Sequence, residues 1–266
     1  MYREDSVMYQ DGFHNKIEGF ALVTGGARGL GEAMVIQLAR EGYDVVINHL
    51  SANSITAAKA LAEFVEKEFG VSAMTYQCDV SVYENCRAMF DAAIEKFGNK
   101  IAVLVNNAGL EKNAPFHKRE ADSYHRLIDV ELLGTMHCTH IALPYMRAAQ
   151  NGSIINITSV CPQEGQVLTA EYSAAKAGIV GFSKVIANEN AHLGVRVNCI
   201  APGLTLTPMV KALPEEMQNA YRVKVPLGRL GVPADIASAM SFLVNNTYVT
   251  GTTISVNGGS YMPAGC

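Results

Sequence analysis

The sequence predicts an α/β fold, a single doubly wound domain whose parallel sheet is covered by helices on both faces. Three observations predict it. From Phe20 onward, apolar runs of four to six residues alternate with longer amphipathic stretches, the pattern of buried strands joined by crossover helices. The first apolar run opens directly into a glycine-rich turn and then a helical pattern, as in a βα unit that holds an anion. And 266 residues, 49% hydrophobic and 17% charged, suit one large domain and are few for two.

Residues 1–16 are polar and read as an extension outside the domain, which takes residues 17–266; Asp5 and Asp11 stand where a signal peptide would be apolar. Phe20–Val23 is the first strand. It leads into Thr24-Gly25-Gly26-Ala27-Arg28-Gly29-Leu30-Gly31, where backbone N–H groups meet the positive end of a helix reaching to about Arg40. That is an anion site suited to a pyrophosphate. Its glycines, at 25, 29 and 31, do not follow the general G-x-G-x-x-G spacing. Asp44–His49 is the second strand, after a turn at Gly42. An acidic side chain near its end would take the ribose hydroxyls of NAD and repel a 2′-phosphate. Asn48, His49 and Ser51 stand there instead, with the Arg28 guanidinium free to pair with phosphate, so NADP(H) is expected over NAD(H).

A helix over 53–69 feeds the strand Ala73–Cys78, which ends at Asp79-Val80. A helix over 81–97 precedes the strand Ile101–Val105 and the turn Asn106-Asn107-Ala108-Gly109, small residues and amides that let a backbone lie against a ligand. After a helix over 122–147, the strand Ser153–Ile157 delivers Thr158-Ser159 at its carboxyl end, where open α/β sheets place ligands. Tyr172 and Lys176 then stand one helical turn apart and point to the same place. A phenol is a poor acid or base at neutral pH, a neighbouring ammonium favours its phenolate form, and the Ser159 hydroxyl can hold a substrate oxygen while Tyr172 exchanges the proton. This helix runs through Asn190 to the strand Val195–Ile200 and the turn Ala201-Pro202-Gly203. Residues 204–225 lack a clean period and read as a mobile lid. A helix over 233–244 and the strand Thr253–Val256 precede Gly258-Gly259.

Composition excludes several classes. With a net charge of -4 and no Lys/Arg run of five, nucleic acid is not an expected partner. No apolar run approaches the ~18 to 20 residues of a membrane span, so a soluble cytoplasmic protein is expected. The six cysteines form no C-x-x-C and read as reduced, buried thiols. His137, Cys138 and His140 lack a further hard ligand, and no metal is expected.

In order, the motifs at 24–31, Asp79-Val80, Asn106–Gly109, Ser159, Tyr172-x-x-x-Lys176, Pro202-Gly203 with Thr207, and Val256-Asn257-Gly258-Gly259 resemble the short-chain dehydrogenases/reductases over Gly19 to Tyr261. The resemblance implies a Rossmann-type sheet of seven parallel strands, a homotetramer, and hydride transfer between a nicotinamide and a carbonyl or secondary alcohol. It makes Tyr172 the general acid/base, has Lys176 lower the Tyr172 pKa and hold the nicotinamide ribose, and gives Ser159 the carbonyl. Gly25, Arg28, Gly29, Leu30 and Gly31, with Asn48, His49 and Ser51, would hold the phosphates and adenosine ribose. Asp79 and Val80 would meet the adenine, Asn106, Ala108 and Gly109 would line the groove, and Pro202, Gly203, Thr205 and Thr207 would hold the carboxamide end. One departure stands out. Where the family carries a catalytic Asn that acts largely through its backbone carbonyl, this chain has Glu131. A carboxylate there favours the charged lysine, and direct pairing would draw Lys176 from the ribose.

Residues placed to set specificity are Leu110, Glu111, Cys161, Gln163, Gln166, Leu204 and Met209. Tyr172–Lys184 and Val225–Leu230 look like 3-oxoacyl-(acyl-carrier-protein) reductases, whereas Asn106–Glu111 and the surroundings of Ser51 look like glucose 1-dehydrogenases. The expected activity is an NADP-dependent carbonyl reductase or alcohol dehydrogenase. The alternatives are a sugar or polyol dehydrogenase, or a cofactor-binding regulatory protein without turnover, for which only Glu131 speaks. Lys112, Lys118 and Arg119 make a thin basic patch for a carrier-protein partner.

Overall fold

The structure is a computed structural model that describes residues 16–110, 113–211 and 214–262. Residues 1–15 of the expected extension, Glu111, Lys112, the Met209 side chain and Cys266 lie outside the described residues. Seven strands form one sheet in the order β3-β2-β1-β4-β5-β6-β7, every adjacent pair parallel. They are β1 Phe20–Val23, β2 Val45–His49, β3 Ala73–Gln77, β4 Ile101–Asn106, β5 Gly152–Ile157, β6 Val195–Pro202 and β7 Thr253–Val256. β1, β2, β4, β5 and β6 are buried along their whole length, which is why they read as unbroken apolar runs.

The chain winds outward from β1 to β3, then returns to place β4 on the other side of β1. This reversal opens a crevice at the carboxyl ends of β1 and β4, where doubly wound sheets bind ligands. α1 (Gly29–Arg40), α2 (Ile55–Phe69) and α10 (Pro233–Asn245) bury Met34, Leu38, Val65 and Leu243 against one face. On the other face, α3 (Tyr83–Phe97) and α5 (Gly134–Ala149) bury Met89, Phe90, Ile141 and Met146. The long α7 (Ala170–Asn190) adds Ala187 to that second core. Arg196 of β6 is buried without a carboxylate: its guanidinium donates to the Leu243 and Val244 carbonyls, closing the negative end of α10.

The structure revises three elements. The expected helix over 122–147 is α4 (Ala121–Ile128) joined to α5 by a wider π-helical turn, Asp129–Leu133. A short α6, Cys161–Glu164, follows β5. Residues expected to be irregular from 204 carry α8 (Pro208–Lys211) and α9 (Glu215–Arg222), with Val210, Val225 and Leu230 forming a small apolar cluster of their own. No described helix is long and apolar enough to cross a membrane. Among the described residues no group of three or more His, Cys, Asp or Glu could hold a metal, and Cys78, Cys86, Cys138, Cys161 and Cys199 are buried with no disulfide among them.

Candidate active site

The glycine turn is held from below by neutral side chains. Thr24 Oγ1 accepts the Asn107 and Ala108 backbone N–H groups at 2.9 and 3.0 Å, while Asn107 Nδ2 donates to the Thr24 carbonyl at 2.9 Å and the Gly25 carbonyl at 3.2 Å. The Gly25 N–H donates to Asn48 Oδ1 at 3.0 Å, and Asn48 Nδ2 donates to the Cys78 carbonyl at 3.0 Å. Gly25 sits at φ 62°, and any side chain at Gly31 would collide with the Gly25 carbonyl, so the turn folds tightly only with glycine at both places. Arg28 takes the N-cap position of α1 without a side-chain cap, which leaves the first amides of the helix open toward the crevice. Its guanidinium is exposed and meets no carboxylate among the described residues.

Several residues of the expected cofactor set hold partners inside the protein. Asn48, His49 and Asn106 are 2–4% exposed, with their side chains turned into the protein. A buried amide or imidazole needs protein partners, and each has found at least one, though Asn106 Oδ1 has none among the described residues. Asn48 holds Gly25 and Cys78, His49 Nδ1 lies 3.1 Å from the Ser51 carbonyl, and Asn106 Nδ2 donates to Asn156 Oδ1 at 2.8 Å and Thr139 Oγ1 at 3.1 Å. Asn156 Nδ2 continues to Ser183 Oγ of α7 at 2.7 Å, so the Asn106 side chain ties β4 to the catalytic helix. Val80 is buried in the second core. Asp79 remains partly exposed, in an ion pair with Arg126 at 2.7 Å and accepting the Ser81 hydroxyl at 2.7 Å. Burial raises its pKa, but the Ser81 and Arg126 hydrogen bonds together outweigh that and hold the carboxyl below its usual range.

At the other end of the crevice lies a cavity of about 500 Å³. Ser159 from the end of β5, Tyr172 and Lys176 from the first turns of α7, and Glu131 from the π turn all face it. Leu30, Gly109, Pro202, Gly203, Thr205 and Thr207 of the expected cofactor set line the same space, as do Cys161, Gln166 and Leu204 of the expected substrate pocket. Asn107, quoted in the β4 turn motif but not among the candidate site residues, lines it too, and its backbone N–H is held by the Thr24 hydroxyl at the end of β1, three strands earlier in the sequence. Ser159 Oγ accepts the Cys161 N–H at 3.1 Å, which leaves its own proton to donate.

Lys176 Nζ donates to the Ile157 carbonyl at 2.7 Å and lies 5.4 Å from the centre of the Tyr172 ring. It also lies 2.7 Å from Glu131 Oε2, with side-chain exposures of 5% and 1%, so the direct pairing foreseen as one outcome of the Glu131 departure occurs. The contact is ionic and not an aligned hydrogen bond. Glu131 Oε1 accepts the Leu110 N–H at 2.8 Å and packs so close to Gly109 that a Cβ there would come within 2.6 Å of it. Its backbone carbonyl already accepts the Thr135 hydroxyl at 2.8 Å. The π turn, which widens the helix by one residue, carries this carboxylate under both the β4 turn and the lysine. An ammonium has three donors, and with one on Ile157 the remainder face Glu131 and the cavity.

The arrangement can polarise an oxygen, exchange a proton and hold a dinucleotide at the open end of α1. Comparison with known proteins agrees. The profile of the short chain dehydrogenase family matches residues 19–218. An acetoacetyl-CoA reductase of Shinella zoogloeoides is 43% identical over 244 residues, 91% of this chain and 98% of its own. One from Rhizobium meliloti is 40% identical over 244 residues, again 91% of this chain and 98% of its own. A 3-oxoacyl-(acyl-carrier-protein) reductase of Staphylococcus aureus is 37% identical over 249 residues, 93% of this chain and its whole length.

Proposed function

The chain belongs to the short-chain dehydrogenase family and is an oxidoreductase, and on that premise we propose that it reduces the keto group of 3-oxoacyl thioesters with NADPH. The convergence of Ser159, Tyr172 and Lys176 on one cavity carries the chemistry. The relatives, matched along almost their whole length, support the thioester class. The cofactor reading rests on the open amides of α1, the exposed Arg28 guanidinium and the absence of any carboxylate at Asn48, His49 or Ser51, a donor set that fits a pyrophosphate and a 2′-phosphate. The homotetramer is carried over from the family resemblance, and the cytoplasmic location from the lack of any apolar run long enough for a membrane span. Residues 204–225 are taken as the lid because Leu204, Tyr221 and Val225 line the cavity.

When bound, NADPH supplies a hydride to the substrate's carbonyl carbon. Ser159 donates its hydroxyl proton toward the carbonyl oxygen, and Tyr172 transfers its phenolic proton to that oxygen as charge builds there. Lys176, fixed by the Ile157 carbonyl and Glu131, places a positive charge beside the tyrosine ring and favours the phenolate left behind. Leu204 and Val225 bring apolar surface over the cavity and exclude water.

Following nicotinamide absorbance with NADPH against acetoacetyl-CoA, a 3-oxoacyl pantetheine thioester and simple ketones, and with NADP+ against glucose, tests the reading. Turnover of the thioesters is expected, and Tyr172→Phe should lower kcat by ~10²–10⁴ with NADPH affinity kept. Oxidation of glucose with thioesters untouched would overturn the substrate class. NADPH binding with silence toward every substrate would favour the second reading, in which Glu131 sequesters Lys176 and the chain binds without turnover.

A further inference from the structure

Arg119 and Glu171 form a second buried ion pair outside the machinery described above. Arg119 ends the segment that leads from β4 into α4, and Glu171 lies in the first turn of α7, immediately before Tyr172. Arg119 Nε lies 2.5 Å from Glu171 Oε1, and the two side chains are 6% and 3% exposed. Among the described residues neither Arg119 Nη2 nor either Glu171 oxygen finds a hydrogen-bond partner, so each charge depends on the other. This also withdraws Arg119 from the basic patch considered for a carrier protein.

A backbone contact fastens the same two segments. The Ala114 N–H donates to the Leu168 carbonyl at 3.2 Å, and Leu168 is held at φ 71°, a left-handed conformation that a branched side chain resists. Such a conformation persists where its surroundings over-determine it. Next to it, Thr169 Oγ1 donates to the Gln166 carbonyl at 2.8 Å and lies 3.0 Å from Ser173 Oγ, and the Ser173 N–H donates to the Thr169 carbonyl at 2.7 Å. The chain entering α7 is therefore pinned on both sides of Thr169, by Leu168 from the backbone and by Glu171 through Arg119. Tyr172 is the next residue. Glu171 further suits the positive end of the helix, yet its burial goes beyond what a helix start needs, since an exposed acid there would serve as well.

We propose that the Arg119–Glu171 pair is a clasp that positions Tyr172, coupling the segment after β4 to the first turn of the catalytic helix. Both are positioning residues, acting on the proton transfer through the helix start without touching substrate or cofactor. The clasp lies away from the glycine turn, so it should govern turnover and leave the binding of NADPH alone. The proposal rests on the reductase reading only for its kinetic assay.

The experiment compares the full-length protein with Arg119→Met, Glu171→Gln, the double variant, and the conservative Arg119→Lys. Two readouts are used: kcat and both KM values with acetoacetyl-CoA and NADPH well below the melting temperature, and amide hydrogen exchange over 113–120 and 168–173. The single variants should lose about tenfold or more in kcat with the KM for NADPH unchanged. The double variant should be no worse than either single one, because the second change removes a charge already stranded. Arg119→Lys should recover part of the rate. Exchange should quicken in both segments together when either partner is lost. Unchanged kcat with a lowered melting temperature, additive effects in the double variant, or quickened exchange confined to one segment would each overturn the clasp. Should the wild type turn over no thioester, the reductase reading fails on its own, and the exchange comparison still decides the clasp.

Discussion

The glycine turn and the catalytic end share one crevice but handle buried polarity in opposite ways. Around the turn the inward groups are neutral: Thr24, Asn48 and Asn107 hold the backbone of residues 24, 25, 107 and 108 through hydrogen bonds of 2.9–3.2 Å. Around the catalytic end the inward groups are charged: Glu131 with Lys176, and Arg119 with Glu171. A neutral bond contributes about 1 kcal/mol net, so the turn is a rigid cradle whose loss in pieces is tolerable. A buried ion pair stabilises little over an apolar pair, yet breaking it by halves costs several times more. The charged end therefore reads as machinery kept for moving a proton, and the neutral end as machinery kept for shape.

The largest test of that contrast is Glu131→Ala. It strands Lys176 in a buried place and leaves the Leu110 N–H without its acceptor. A loss of ~3–5 kcal/mol in chemical denaturation is expected. Glu131→Gln can keep the Leu110 bond while removing the charge, so it should lose less stability but change the pH dependence of kcat. If the two variants are equally stable, the Leu110 bond carries no weight. If the pH–rate profile of the Gln variant matches the wild type, the carboxylate plays no part in proton handling.

Asn107→Ala tests the neutral side and should cost ~1–3 kcal/mol, since the Thr24 and Gly25 carbonyls lose their shared donor. Because these carbonyls shape the turn, a fluorescence titration should show weaker NADPH binding, with kcat at saturating cofactor nearly kept. A fall in kcat as large as that of the Glu131 variants would erase the distinction between the two ends.

How far the sequence shows this contrast depends on the range of the interactions. β1, β2, β4, β5 and β6 were legible because they are buried on both faces, and the glycine turn because tight geometry demands particular residues. Tyr172 and Lys176 were legible because one helical turn is a local spacing. The inward turn of the Asn48 and Asn106 side chains was not legible: a strand's end lies at the ligand side, but the direction of a side chain depends on pleat and partners, and both meet groups distant in sequence. The π turn has no compositional mark in Asp129–Leu133, and without it the pairing of Glu131 with Lys176 could be stated only as one of two outcomes and its reach to Leu110 not at all. Glu171 gave no signal at all, because its partner lies on a different segment and an acid in a first turn is unremarkable.

The smallest expected effect concerns an exposed charge at the neutral end. Arg28 is exposed, so its attraction to a 2′-phosphate is screened by water and salt. Arg28→Ala should raise the KM for NADPH by roughly three- to tenfold, ~0.6–1.4 kcal/mol, and leave the KM for NADH where it was. The gap between variant and wild type should narrow as salt is raised, since an exposed pair weakens while the amides at the start of α1 are little affected. Equal losses with both cofactors would mean that Arg28 acts on the pyrophosphate common to both, and the glycine turn would then bind by charge as well as by shape. A wild type that prefers NADH from the start would remove the phosphate argument entirely, because Asn48 and His49, turned inward, offer no second group to choose between the two.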